Sequence, residues 1–163
     1  MEPEEFLRAY DKYADAIFRH CYFRLSDREL AQDTAQETFT RTWKYIADGG
    51  DVKNIRAFLY RVAHNLIIDE WKRKKAVSLE ELAEKGFDPK DDNNVDLANV
   101  FDAREAAKVL ELLDKPYREV VVMRYIDDMS PKEIARILGE TENTISVRIH
   151  RALKKAKELL NHE

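Results

Sequence analysis

The chain has 163 residues, of which 37% are charged, and a formal net charge of −4 at pH 7. This length allows one domain or two small ones. No apolar run approaches the roughly 20 residues that span a bilayer, and the acidic start Met1–Glu5 is not a signal peptide, so we expect a cytoplasmic protein without membrane insertion. A single cysteine, Cys21, excludes an intramolecular disulfide. No cysteine or histidine pair has ligand spacing, so we expect no metal and no cofactor.

Helical periodicity dominates the first 75 residues. Apolar side chains at helical spacing predict one helix from Pro3 to about Leu25 and a second, with Ser26 as its N-cap, to about Ala47. A third helix is predicted to start near Asn54 and to end in a cluster of lysine and arginine. We expect its solvent side to carry Arg56, Arg61, His64, Asn65 and Asp69. Its basic end has two interpretations of similar weight, which are complementarity to the helix dipole and a surface that holds an unstacked nucleic-acid strand.

The middle of the chain changes in composition. Residues 78–99 are acidic and only weakly periodic, which predicts a linker that includes a short helix at Leu79–Lys85. Helical spacing returns from Val100, and the β-branched run Val120–Val122 is assigned to a helix. No strand alternation appears in the sequence. The predicted fold is therefore all-α, with two small helical domains at residues 1–77 and 100–163.

The C-terminal stretch has the pattern of a helix-turn-helix. Ser130 and Glu133 form a potential capping box, Gly139 suits a left-handed helix end, and Thr141 can cap the next helix. The second helix presents amide, hydroxyl, imidazole and cationic groups, which are the types that meet bases and phosphates in a major groove. The alternative is an ordinary pair of helices with a solvated basic face. We favour DNA binding because a further helical stretch, Pro116 to Tyr125, precedes the motif.

The charge distribution bears on how such a chain would hold DNA. Lysine and arginine cluster at the end of the third helix and again along the last helix, with an acidic stretch between them. Duplex affinity comes largely from neutralising phosphates, so a net negative chain gains little of it unaided. We infer that another protein contributes much of the affinity.

Nothing in the sequence has the form of a catalytic site. There is no glycine-rich phosphate loop, zinc-protease motif or nucleophile elbow. Asp127 and Asp128 are adjacent and are predicted to mark a turn, and the four histidines are scattered along the chain. We therefore expect the protein not to be an enzyme.

Three segments together resemble bacterial RNA polymerase sigma factors of the extracytoplasmic-function (ECF) class, within the sigma-70 family. The segment AQDTAQETFTRTW resembles the family's clamp-binding helix, and FLYRVAHNLIIDEWKRKK resembles the helix that handles the promoter −10 element. The stretch from Leu113 to Leu160 resembles the domain that reads the −35 element. The segments occur in the family's order and cover nearly the whole chain except the linker.

The resemblance implies partners and a residue set for each. The partners are the clamp and flap surfaces of the polymerase core, promoter DNA and an anti-sigma factor. The implied core-binding residues are Asp33, Gln36, Glu37, Phe39 and Trp43. The implied −10 residues are Arg61, His64, Asn65, Asp69, Trp71, Lys72 and Arg73. The implied −35 residues are Thr141, Thr144, Ser146, Val147, Arg148, His150, Arg151, Lys154 and Lys155, of which Arg148 and Arg151 are expected to be the main specificity residues.

Two other functions compete with promoter recognition by a sigma factor. One is a helix-turn-helix regulator that binds DNA without polymerase, and the other is a sigma-like adaptor that binds polymerase without initiating transcription. The net negative charge of the chain and the resemblance of its N-terminal segments to sigma factors count against the first. Asn65 and the basic helix ends count against the second.

Overall fold

The computed structural model describes residues 1–84 and 101–161, and every regular element in these ranges is helical, which confirms the all-α prediction. The elements are α1 (Pro3–Leu25), α2 (Arg28–Ala47), α3 (Ile55–Glu84), α4 (Phe101–Leu112), α5 (Lys115–Val121), a π-helical turn (Val122–Ile126), α6 (Pro131–Leu138) and α7 (Glu142–Asn161).

The turn between α1 and α2 differs from the prediction in its capping residue. Ser26 closes α1 in the left-handed conformation, with φ 56°, and its backbone N–H donates to the carbonyl of Tyr22. Asp27 is therefore the N-cap of α2, and its side chain accepts a hydrogen bond from the backbone N–H of Leu30. The connection is so short that Ser26 serves the end of the first helix and cannot also cap the second.

Helix α3 is longer than the sequence indicated. The side chain of Asn54 caps its start by accepting from the backbone N–H of Ala57. The helix then runs without interruption to Glu84, so the short helix predicted from Leu79 continues α3 rather than standing apart. The first glycine or proline after the basic cluster is Gly86, so nothing earlier ends the helix. The rest of the predicted linker, residues 85–99, lies outside the described residues.

The helix-turn-helix forms with the predicted caps. Ser130 and Glu133 make a reciprocal capping box at the start of α6, and Gly139 ends that helix with φ 69°. The hydroxyl of Thr141 accepts from the backbone N–H of Thr144 at the start of α7. The stretch before it is helical, as predicted, but its second half adopts the wider π-helical turn.

The two halves of the chain pack against each other. Buried apolar residues of both halves belong to one continuous cluster that includes Ile17 and Tyr60 on one side and Met123, Met129 and Ile134 on the other. Each of these side chains is no more than 2% exposed. The core therefore continues across the boundary between the halves instead of stopping at it.

Candidate functional site

The predicted core-binding residues of α2 divide into exposed polar side chains and covered aromatic ones. Asp33, Gln36 and Glu37 are exposed, whereas Phe39 is buried and Trp43 is half-buried. The two aromatic rings line an open groove of about 560 Å³ between α1 and α2, together with Phe6, Leu7 and Tyr10. The rings pack closely, with centroids 5.1 Å apart for Phe6 and Trp43 and 4.8 Å apart for Tyr10 and Phe39. The site thus combines a polar face with an adjoining apolar groove.

The predicted −10 residues divide into two groups. Asn65, Asp69, Lys72 and Arg73 are exposed, and Arg73 is paired with Glu70 on the same helix. The remaining three contact the C-terminal half. Their partners there are the carbonyl of Arg136 for Arg61, Glu119 for His64 and Lys115 for Trp71.

Trp71 is held by cations of both halves. The guanidinium of Arg24 lies 5.0 Å from the centroid of the ring, and the ammonium of Lys115, in the C-terminal half, lies 4.9 Å from it. Cations at these distances are attracted by the ring's electrons. The ring thus contributes to the contact between the halves in this arrangement.

Helix α7 presents most of the predicted −35 residues to solvent. Ser146, Val147, His150, Arg151, Lys154 and Lys155 are exposed, while Ile145, Ile149 and Ala152 face the core. Thr141 and Thr144 are also exposed, and their hydroxyl groups are hydrogen-bonded to each other at 2.8 Å. Arg148 differs from its neighbours, because Glu140 binds it at 2.5 and 3.0 Å.

A buried polar group joins the two halves, and we call it the interdomain cluster: His20, Arg24 and His64 from the N-terminal half, with Glu119 and Asp127 from the C-terminal half. Arg24 donates to Nδ1 of His64 at 2.9 Å and to Oε1 of Glu119 at 2.7 Å. His20 bonds Asp127 through Nδ1 at 2.5 Å. Arg24 is 1% exposed, and its Nε atom has no hydrogen-bond partner among the described residues.

Donor and acceptor roles follow from the permanent donors of Arg24. Arg24 also lies 3.3 Å from Nε2 of His20, so this nitrogen accepts, and Nδ1–H of His20 donates the hydrogen bond that Asp127 accepts. Nδ1 of His64 likewise accepts from Arg24. Burial lowers the pKa of His64 to about 3, and the positive charge of Arg24 acts in the same direction. Burial raises the pKa of Glu119, although Arg24 opposes this shift.

Two arginines of α3 reach the C-terminal half beside the cluster. Arg56 is paired with Glu133 and donates to the carbonyl of Asp127 at 2.8 Å. Arg61 donates to the carbonyl of Arg136 at 3.2 Å. The prediction that His64 lies on the solvent side of α3 was wrong, because the C-terminal half buries this side chain. Arg56, on the same side, is partly covered by that half, whereas Asn65 and Asp69 are exposed.

Sequence reasoning missed the interdomain cluster. Asp127 was assigned to a turn, and the histidines were treated as scattered, yet His20 and His64 both bind Arg24. One signal was available: His20 and Arg24 lie one helical turn apart on α1, next to the apolar positions Cys21 and Leu25. Charged or polar groups at such positions require buried partners.

The described residues contain no group of three or more histidine, cysteine, aspartate or glutamate side chains that could hold a metal ion. They also contain no helix that is long and apolar enough to cross a membrane. Cys21 is fully buried, as a structural cysteine would be, and burial raises the pKa of its thiol to about 12.

Comparison with known proteins identifies both halves. The model of sigma-70 region 2 matches residues 9–77, and the model of sigma-70 region 4 matches residues 103–155. The ECF RNA polymerase sigma factor SigW of Bacillus subtilis is 33% identical, over 92% of this chain and 86% of SigW. The RNA polymerase sigma-E factor of Streptomyces coelicolor is 32% identical, over 98% of this chain and 86% of that protein.

Solved structures show the same fold. CnrH, in complex with the cytosolic domain of CnrY, matches with a TM-score of 0.73 at 25% identity, over 99% of this chain and 91% of CnrH. The sigma factor RpoE of Bartonella quintana, in complex with the anti-sigma factor NepR, matches with a TM-score of 0.74 at 21% identity, over 97% and 98% of the two chains. The chain belongs to the ECF sigma factors of the sigma-70 family, the transcription initiation factors that direct RNA polymerase to promoters.

Proposed function

We propose that this chain performs initiation through three separate surfaces: α2 binds the polymerase core, α3 engages the −10 element, and α7 reads the −35 element. The observation that carries the proposal is the exposed side of α7, where Ser146, His150 and Arg151 lie along a helix whose start is fixed by the Thr141 cap. As a member of this family the chain is a non-enzymatic factor that works in the cytoplasm, where it meets polymerase and DNA.

The surface on α2 suits a protein partner. Asp33 and Glu37 give it negative charge, which is unfavourable for DNA but complementary to a basic protein surface. The adjoining groove with Phe39 and Trp43 offers the apolar area that stable protein contacts use at their centre. We assign this surface to the clamp of the polymerase core, and the C-terminal domain to the flap.

The surface on α3 suits a single strand at the −10 element. Asn65 is exposed and can donate and accept hydrogen bonds at a base edge, and Lys72 can meet a phosphate. Extruding a base costs a few kcal/mol of stacking, which specific contacts in a pocket must offset. Arg61, His64 and Trp71 belong to the same surface. His64 is buried against the C-terminal half and Trp71 is half-buried, whereas Arg61 stays exposed although it donates to the carbonyl of Arg136.

An anti-sigma factor is the third proposed partner. The Bartonella RpoE was solved with the anti-sigma factor NepR, and CnrH was solved with the cytosolic domain of CnrY. The fold of the present chain matches both over nearly its full length. We propose that such a partner binds here as well and covers the polymerase-binding surface.

Run-off transcription with purified bacterial core polymerase, this chain and a library of promoter fragments tests the proposal. We expect initiation from a subset of fragments that share spaced −35 and −10 elements, and loss of initiation with Asn65→Ala. Arg41→Ala, a change at an exposed residue of α2 outside the predicted sets, is the matched control. Core binding without initiation would support the adaptor instead, and specific DNA binding without affinity for core would support a free-standing regulator.

A further inference from the structure

Arg148, one of the two arginines expected to read bases, is bound by a carboxylate at the turn of the helix-turn-helix. Its two terminal nitrogens lie 2.5 and 3.0 Å from the two carboxylate oxygens of Glu140. Its side chain is only 22% exposed, and the hydrogen bond to Glu140 raises its pKa. The contact is thus a bidentate ion pair within the DNA-binding motif.

This ion pair restricts what Arg148 can offer to DNA. A specific arginine–guanine contact uses two parallel N–H donors, and here the terminal pair of donors already faces Glu140. The carboxylate also cancels the charge that would attract a phosphate. In this conformation Arg148 is a poor base reader.

Arg151 is in the opposite situation. It is exposed on α7 three residues after Arg148, so the two side chains are neighbours on the helix surface. Both line one open groove with Asn143, Thr144 and Val147. No described residue forms an ion pair or hydrogen bond with the Arg151 side chain, so its guanidinium is available to a base edge.

We propose that Glu140 is a positioning residue for −35 recognition, which holds Arg148 away from the bases and leaves base reading to Arg151. The inference rests on the proposed function of α7 and adds a residue that controls its specificity. Removing the charge at position 140 releases Arg148 and adds a second cation to the reading face.

The test uses holoenzyme assembled from core polymerase and the full chain, with run-off transcription from promoters randomised in the −35 element. Each template carries a barcode downstream of the start site, so the barcodes recovered in transcripts identify the −35 sequences used and give the base preference at each position. We compare Arg151→Ala, Arg148→Ala, Glu140→Gln and Glu140→Asp, and thermal unfolding confirms that each variant is folded. The salt dependence of promoter binding supplies a second readout.

We expect Arg151→Ala to lower discrimination at one −35 position by about tenfold or more, and Arg148→Ala to leave the preference unchanged. Glu140→Gln should add a preference at a second position, or steepen the salt dependence by about one phosphate contact. Glu140→Asp, which keeps the charge, should retain the original preference. A purely structural role for Glu140 would change stability but not base preference.

The inference is overturned if Arg148→Ala abolishes the preference as strongly as Arg151→Ala, or if Glu140→Gln changes neither readout. Failure of the unchanged holoenzyme to initiate would be a different result, because it would overturn the proposed function itself.

Discussion

Nδ1 of His20 lies 2.5 Å from Oδ2 of Asp127, although the two residues are 107 positions apart in the chain. Both side chains are almost completely buried. Asp127 is placed there by the turn after the π-helical segment, where the next residue, Asp128, has a positive φ of 54°. This bond fixes the turn that leads into the helix-turn-helix against the first helix of the chain.

His20→Ala tests the contribution of this bond. The change removes the donor and leaves a buried carboxylate without a hydrogen bond, so we expect the free energy of unfolding to fall by about 2–3 kcal/mol in urea titrations. Asp127→Asn should cost less, because the amide oxygen still accepts from Nδ1. Equal losses for the two variants would show that the bond itself is not what stabilises this contact.

His64 predicts a pH dependence of stability. Burial holds its pKa at about 3, below the ordinary value of 6.5, so between these values the unfolded chain binds a proton that the folded chain does not. Stability from this residue is therefore complete above pH 6.5 and is lost as the pH falls toward 3, at no more than about 1.4 kcal/mol per pH unit. In His64→Gln this contribution is absent, so the free energy of unfolding should fall less steeply with decreasing pH across this window than in the wild-type chain. An identical pH profile for the variant would contradict the assignment.

Cys21 predicts slow thiol chemistry in the folded chain. Burial raises its pKa to about 12 from 9.0, so the reactive thiolate is scarce and the sulfur is inaccessible. We expect a thiol reagent to label native protein far more slowly than urea-unfolded protein. Because Cys21 is the only cysteine, the readout is unambiguous. Equal labelling rates in the two states would show that this part of the core is open.

Gly139 predicts a backbone effect in the DNA-binding motif. Its φ is 69°, and a Cβ atom there would meet nothing within 4 Å. A side chain at this position therefore costs free energy because of the left-handed backbone conformation and not because of contact with neighbouring atoms. Gly139→Ala should lower the free energy of unfolding by about 1–2 kcal/mol, and Gly139→Asn by less, since asparagine adopts this conformation more readily. Thermal unfolding measures both, and a neutral alanine variant would contradict this reading of the turn.

The sequence was informative wherever local physics decides the structure. The capping box of Ser130 and Glu133, the left-handed Gly139 and the Thr141 cap were all predicted from spacing and were all found. The polar side that α7 presents to solvent was also predicted, because this helix packs one apolar stripe against the core. The sequence also identified the family through segments that are helical in the structure.

The sequence was less informative wherever the structure depends on contacts between distant segments. His64 is polar and lies on a basic helix, so its pattern suggested solvent, whereas its surroundings are Arg24 and Glu119 from other helices. Arg148 shares its helix face with exposed residues, and only the fold of the preceding turn places Glu140 beside it. Periodicity assigns a face to a residue, but the partner on that face depends on how the helices pack.

Run-off transcription with purified core polymerase is the decisive measurement of whether this chain directs polymerase to promoters through α3 and α7. We expect initiation from promoters with spaced −35 and −10 elements, abolished by Asn65→Ala and redirected in its −35 preference by Arg151→Ala. Unchanged initiation with both variants, or no initiation by the wild-type chain with any promoter of the library, would show that the chain does not act in this way.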